Sequence, residues 1–395
     1  MLSVADAHAR ILALVAPLGE EEIPLAEAGG RVLARPVAAS RDQPPFAASA
    51  MDGYAVRDAD AVPGARLRVI GAAQAGAAFS GVVGPGEAAR IFTGAPMPPG
   101  ADAVVIQEDA EREGDTILVR PGRDGARHVR PAAADFAAGT TISAPRRLRP
   151  ADVALLAAMN AARVPVARRP VVAIIPTGDE IVAPGGVPGP DQIVASNNYG
   201  LKAMVEAAGG EARLLPIARD TPESLAAVLA LTGDADLVVT LGGASVGDFD
   251  IVQKTAIAHG LALDFHKVAI RPGKPLMAGR LGARAMIGLP GNPVSALVCG
   301  QLFVLPAVER MLGLPGDLPT ALPARLAEAV GPNGPRTHYM RARVEAGPAG
   351  WSCTPFVRQD SALLSVLAAA NALLVRPPDA PSQPAGDKVE FIWAA

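Results

Sequence analysis

The sequence predicts a multidomain α/β protein built around a central, mostly parallel sheet with helices on its faces. Three observations predict it. From Pro170 to Met311, continuous apolar runs alternate with helix-length segments, the βαβ pattern that requires parallel strands. Before that stretch, short apolar runs separated by Gly, Pro and Asp indicate an all-β module. After Gly313 the composition shifts again to Pro, Gly and short β-like runs, the mark of a small C-terminal β domain.

The opening residues read as an amphipathic helix. Val4, His8, Ile11, Val15 and Leu18 recur at spacings of three and four, and Ser3 with Asp6 forms a capping pair. Residues 23–40 contain Gly29-Gly30 and Pro36 and read as an extended connector. Strands are expected at 67–70, 89–92, 103–106 and 117–119, and a helix with proline in its first turn at 150–159. In the α/β region, strands are expected at 171–175, 212–217, 237–240, 263–268 and 285–287. Helices are expected at 198–208, 222–231, 251–259 and, as one long closing helix, 294–311. The resulting division is a connector from residues 1–42 plus 144–169, an inserted β module at 43–143, the α/β domain at 170–312 and the C-terminal domain at 313–395.

Composition excludes several functional classes. The chain has 395 residues, half of them apolar and 19% charged, so two to four soluble domains of ~100–200 residues are expected. Its 41 glycines and 38 prolines point to many turns but fall short of the ~25–30% that marks disorder. A net charge of −3 with no long basic run lacks the footprint of a nucleic-acid binder. Cys299 and Cys353 show no metal-ligand spacing, and His8, His128, His259, His266 and His338 are scattered, so no zinc cluster and no disulfide are expected. Asp6, His8 and Arg10 interrupt the first apolar stretch, which argues against a signal peptide, and no membrane span is expected. A reducing cytoplasm is the simplest compartment for such a chain.

Ligands of open parallel sheets bind beyond the carboxyl ends of the strands. Those ends carry Thr177-Gly178-Asp179-Glu180, Asp220, the run from Gly242 to Asp250, and Leu289-Pro290-Gly291-Asn292-Pro293. Gly242, Gly243 and Gly291 let backbone amides approach a phosphate, and the helix after each loop presents its positive end to that anion. Glu180, Asp220, Asp248 and Asp250 are hard oxygen ligands suited to Mg²⁺ together with substrate phosphate. Lys267, Arg271 and Lys274 add positive charge, so a phosphorylated, nucleotide-linked substrate is expected. Each piece alone has a plainer reading. Thr177–Glu180 could be a turn and helix cap, Gly242-Gly243 a tight turn, Pro290 and Pro293 loop-shaping prolines, and Asp220 a helix cap; outside this sheet, Asp52-Gly53 could be a turn and Thr93-Gly94 a strand exit. Four such pieces on successive strand ends of one sheet favour a site.

Taken in order along the chain, residues 49–57, 91–109, 177–180, 242–250, 268–275 and 289–296 resemble the molybdopterin molybdenumtransferase (MoeA) family, which includes the E domain of gephyrin. The first two stretches are specific to that family, whereas 242–250 and 289–296 also occur in molybdopterin adenylyltransferases. The resemblance implies four parts: an elongated connector, an inserted β module, an α/β domain and a β-barrel-like C-terminal domain. It also implies a homodimer whose active sites combine the α/β domain of one subunit with the N-terminal part of the other. The reaction it implies inserts molybdate into adenylylated molybdopterin with Mg²⁺ assistance and release of AMP. The upstream adenylyltransferase and recipient molybdoenzymes are the implied further partners. By position, Asp52, Thr93, Glu180, Asp220 and Asp250 correspond to active-site polar residues, with Glu180, Asp220 and Asp250 as metal ligands. Gly242, Gly243, Ser245, Asp248, Lys267, Arg271, Lys274, Pro290, Gly291, Asn292, Pro293 and Ser361 correspond to substrate contacts. Two departures stand out. Arg271 replaces a frequent lysine, and Gln359-Asp360-Ser361-Ala362 lacks both glycines of a Gln-Gly-Ser-Gly run, which bears on Ser361. The competing classes are an adenylyltransferase, which shares the α/β domain but not the flanking ones, and a scaffold, which would not need the acidic residues.

Overall fold

The computed structural model describes residues 1–122, 124–243, 251–348 and 350–395. The chain folds as two compact units, Glu22–Pro165 and a second unit made of Met1–Glu21 with Val166–Ala395. Each is built as its local sequence dictates.

The Glu22–Pro165 unit is β-rich. Its main sheet has six strands in the order Ala103–Ile106, Gly53–Val56, Glu87–Ile91, Arg66–Ala73, Thr116–Val119 and Ala110–Glu113. All four strands expected in this module are present. Alternation along the strands buries two sets of side chains. Tyr54, Val56, Leu67 and Ile117 are in one cluster, Ala55, Ile91 and Val104 in the other. The helix Pro150–Ala158 begins on a proline, where no backbone donor is lost. Its Asp152 accepts hydrogen bonds from the Arg149 amide at 2.9 Å and the Arg146 guanidinium at 2.5 Å.

In the second unit the helix Val4–Leu14 starts as its capping pair requires, with the Ser3 hydroxyl accepting from the Asp6 amide at 3.0 Å. It ends before Val15 and Leu18, which the periodicity would have included. It packs on the helix Leu305–Met311 and the strand Met277–Leu281, within this unit.

The central sheet of this unit runs Glu211–Leu214, Val171–Pro176, Leu237–Leu241, Arg284–Leu289, Met277–Leu281, Leu261–Phe265. The first four strands are parallel, Met277–Leu281 runs antiparallel to Arg284–Leu289, and Leu261–Phe265 runs antiparallel to Met277–Leu281. Val171–Pro176 and Leu237–Leu241 are buried along their whole length, which is why they read as unbroken apolar runs. The strand expected at 263–268 lies at Leu261–Phe265 and carries an irregularity between Leu263 and Phe265. The closing helix is not uniform. Pro293–Cys299 and Leu305–Met311 are α-helical, but Gly300–Val304 between them widens into a π turn. Pro306 lacks an N–H, and its ring excludes the carbonyl four residues back, so the regular ladder cannot continue there. This 19-residue segment is apolar enough to cross a bilayer, yet 78% of its apolar window is buried inside the fold, so it is a core helix.

The C-terminal strands Leu322–Leu326, Thr337–Gly347, Gly350–Pro355, Ala372–Arg376 and Lys388–Trp393 close into a barrel, because Thr337–Gly347 pairs with both Gly350–Pro355 and Ala372–Arg376. Ala342, Val344, Leu374 and Phe391 fill its interior. The short strand Ile270–Arg271 pairs in parallel with Thr337 and His338.

Candidate active site

The parallel register aligns Pro176 with Leu241 and Leu241 with Leu289, so three strands end at one level. Beyond those ends lies a cavity of ≈ 480 Å³. Thr177, Glu180, Gly242, Gly243, Pro290 and Gly291 line one part of it, and Ser196, Asn197 and Asn198 another. Asn292, Pro293, Pro275 and Ala362 complete the rim.

Local geometry explains the glycines. Gly242 has φ +103°, and a Cβ there would stand 2.6 Å from the Thr177 carbonyl oxygen. Gly178 has φ +139°, and a Cβ would collide with the Glu180 carboxylate, which folds back over it. The buried Thr177 hydroxyl donates to the Leu241 carbonyl at 3.1 Å and ties the two strand ends together.

Side chains tie the rim loops to one another. The Asn197 amide donates to the Gly291 carbonyl at 2.7 Å. The Asn292 amide donates to the Ser361 hydroxyl at 2.9 Å, and the Val294 amide donates to the Ser361 carbonyl at 3.0 Å. Ser361 therefore joins the Pro290–Pro293 loop although both neighbouring glycines are absent. Asp360 substitutes a side-chain bond, accepting from the Ala362 amide at 2.8 Å.

The expected basic and acidic residues divide. Glu180 faces the cavity, whereas Asp220 is exposed and does not line it. The Asp220 amide donates to the Asp179 carboxylate at 3.3 Å, and the next residue, Thr221, caps the following helix. Lys267 and Lys274 are half-buried and lie outside the lining, to which Pro275 contributes. Arg271 faces a different cavity at the barrel. Ser245, Asp248 and Asp250 lie outside the described residues. Among the described residues, no group of three or more His, Cys, Asp or Glu side chains comes together as a metal cage. Cys299 and Cys353 are unpaired and buried, and burial pushes both thiols up, Cys353 to about 11.

Asp52 and Thr93 meet in the other unit. The Thr93 amide and hydroxyl both donate to the same Asp52 oxygen. The amide bond from Thr93, then its hydroxyl, hold the Asp52 carboxyl below its ordinary value, with a smaller contribution from Arg90. Arg90 stacks over Tyr54 and Phe92, at 5.1 Å and 4.9 Å from the ring centres, and donates to the Gly53 carbonyl.

Sequence reasoning missed Arg90, Asn197 and Asn198. Asn198 is 6% exposed, and its Oδ1 has no hydrogen-bond partner although it lines the cavity. The signal for the pair was Ser196-Asn197-Asn198 at the start of a helix that opens on a strand end.

Comparison with known proteins agrees with this architecture. Residues 2–160 match the MoeA N-terminal region (domains I and II), residues 173–310 a probable molybdopterin binding domain, and residues 323–393 the MoeA C-terminal region (domain IV). A molybdopterin molybdenumtransferase from Nostoc sp. is 38% identical over 86% of this chain and 81% of its own length. Molybdopterin molybdenumtransferase 2 from Mycobacterium tuberculosis is 36% identical over 94% of both chains. The crystal structure of the molybdopterin biosynthesis MoeA protein from Pyrococcus horikoshii superposes with a TM-score of 0.85 at 32% identity, covering 100% of this chain and 99% of that one. With these matches running along the chain from its first domain to its last, the chain belongs to the molybdopterin molybdenumtransferase (MoeA) family of transferases.

Proposed function

We propose that this chain inserts molybdenum, supplied as molybdate, into adenylylated molybdopterin and releases AMP, the final step of molybdenum cofactor biosynthesis. The observation that carries this reading is the strand-end cavity, whose glycine-rich rim and uncapped helix start at Ser196 suit a phosphorylated pterin. Molybdate and the adenylylated pterin are both substrates. The dithiolene sulfurs of the pterin hold the metal, which accords with Cys299 and Cys353 being buried and kept protonated.

In this reading Gly242, Gly243 and Gly291 bring backbone amides to the phosphates, and Asn197 and Ser361 hold the Pro290–Pro293 loop in place. Glu180 offers a hard carboxylate at the cavity edge, and among the described residues it forms no salt bridge, so it fits as one Mg²⁺ ligand beside substrate phosphate. Mg²⁺, when bound, neutralises charge on the phosphoanhydride as it is cleaved. Asp250 is proposed as a second ligand. Asp220 would serve as a ligand only from a position outside the lining.

The protein is further proposed to act as a cytoplasmic homodimer that receives substrate from an adenylyltransferase and passes its product to molybdoenzymes. Asp52 and Thr93 would then complete the site of a partner subunit. The test is an assay with purified protein, adenylylated molybdopterin, molybdate and Mg²⁺. Equimolar AMP release and cofactor formation are expected. Pyrophosphate release from ATP and molybdopterin would instead identify an adenylyltransferase, and no turnover with either substrate set would leave a scaffold.

A further inference from the structure

The C-terminal barrel carries a second feature, which shares no lining residue with the strand-end cavity. Along Thr337–Gly347, Met340, Ala342 and Val344 point into the barrel core. His338 is on the same face two residues earlier, at the mouth. The register places His338 directly opposite Arg376, which ends the inward-facing series Ala372, Leu374 and Arg376. The apolar core is thus closed at this end by an imidazole and a guanidinium. Arg271 joins them, because Ile270–Arg271 pairs with Thr337 and His338. Arg341, on the alternate face, turns away and donates to the Asp360 carbonyl at 3.1 Å.

Arg271, His338 and Arg376 line a cavity of ≈ 270 Å³. His338 is 5% exposed and Arg376 2%. The His338 Nε2 and the Arg376 Nε have no hydrogen-bond partner. Among the described residues, none of Arg271, Arg336, His338, Arg341 and Arg376 forms a salt bridge. Burial, reinforced by Arg271, Arg341, Arg336 and Arg376, pushes His338 down to about 3. A buried guanidinium without a counter-ion is costly, and so is a buried donor without an acceptor.

The other polar walls are already committed. The Asn333 amide donates to the carbonyls of Arg336, Arg376 and Pro377. The Gln359 amide donates to the carbonyls of Arg341 and Phe356. Both therefore stiffen the walls and leave their donors no free capacity. What remains is the Arg271 guanidinium, the Arg376 guanidinium, whose Nη2 donates to the Pro381 carbonyl at 2.6 Å but whose Nε is unpartnered, and one imidazole, all lining a single space. Guanidinium forks match planar pairs of oxygens, and several converging donors match a tetrahedral one. The volume holds such an anion with a few waters, at ~30 Å³ each.

We propose that the barrel mouth is a binding site for a doubly charged tetrahedral oxyanion of the phosphate, sulfate or molybdate type, held by Arg271, Arg376 and His338. Arg271 and Arg376 supply the charge. His338 supplies an N–H donor, and the bound anion stabilises its protonated form. The site does not depend on the reaction proposed above.

The experiment is calorimetric titration of the full-length protein with phosphate, sulfate and molybdate separately, alongside NMR titration of the His338 ring. At least one anion is expected to bind and to raise the pH at which His338 protonates. Arg376→Leu and His338→Gln should each weaken binding about tenfold or more. Loss in one variant with retained melting temperature suffices, so a folding defect in the other does not obscure the result. Comparing the three anions tells which source the site prefers. Absence of binding by all three, or affinity unchanged in both folded variants, overturns the proposal.

Discussion

One carboxylate oxygen of Asp52 accepts two hydrogen bonds from Thr93, from its amide and its hydroxyl, each at 2.7 Å. The bonds join a turn ahead of the strand Gly53–Val56 to the exit of the strand Glu87–Ile91, two neighbours in one sheet. They favour the charged carboxylate, which places Asp52 as an anion throughout the neutral range.

Thr93→Val removes the hydroxyl donor and keeps the amide. The Asp52 carboxyl should therefore titrate at higher pH, read by NMR. If Asp52 acts as the anion, the acidic limb of the turnover profile should move up with it. A moved titration with an unmoved limb would show that Asp52 is not used in that form.

The homodimer reading makes a complementation prediction. Asp52→Ala and Glu180→Ala chains should each be nearly inactive alone. Mixed and reassociated, they should regain activity, because one site of the heterodimer contains both intact residues. A fully active monomer in light scattering rules this out.

Asn198 offers a buried acceptor with no partner in the protein. Pterins carry ring N–H and amino donors that such an acceptor can recognise. Asn198→Leu should raise KM about tenfold with a smaller change in kcat, the result of losing about 1–2 kcal/mol of hydrogen bonding to substrate. Its melting temperature should hold or rise, since an unsatisfied buried polar group is removed. A fall in stability with KM unchanged would make Asn198 purely structural.

Asp152 gives a pH prediction. The Arg149 amide is the largest cause, with the Arg149 and Arg146 side chains following, and together they lower its carboxyl from 3.8 to about 2. The stabilisation is therefore complete above about pH 4 and is lost as pH falls towards 2. A shift of this size corresponds to about 2 kcal/mol for a carboxylate as buried as this one. Asp152→Asn should lose about that much at neutral pH, by denaturant titration. It should also show a flatter stability curve across the acid window. Equal acid sensitivity in both proteins would assign the effect elsewhere.

The sequence was legible where burial is two-sided or a cap is local. Val171–Pro176 and Leu237–Leu241 announced themselves as unbroken apolar runs because both faces are covered. Ser3 and Pro150 marked helix starts because those rules act within one turn. Pairing at a distance left no such trace. Nothing near Arg271 shows that its strand pairs with Thr337 and His338. The inward turn of His338 and Arg376 was equally hidden, since a charged residue at a strand end ordinarily faces water. Asp220 follows a strand, and nothing beside it in the sequence shows that the loop carries it outside the cavity lining. The π turn at Gly300–Val304 depends on Pro306, a residue beyond the turn itself.

The docking of the Val4–Leu14 helix on Met277–Leu281 and Leu305–Met311 has a consequence for synthesis. At ~5–20 residues per second, those surfaces leave the ribosome roughly 15–60 s after the helix does. An isolated helix of 11 residues is marginal in water, so it has nothing to hold it during that interval. The Glu22–Pro165 unit, contiguous in the chain, can complete its own core meanwhile. This helix is thus made long before the surfaces that secure it, and the nascent chain carries Val4, Ala7 and Ile11 uncovered until the central sheet exists to receive them.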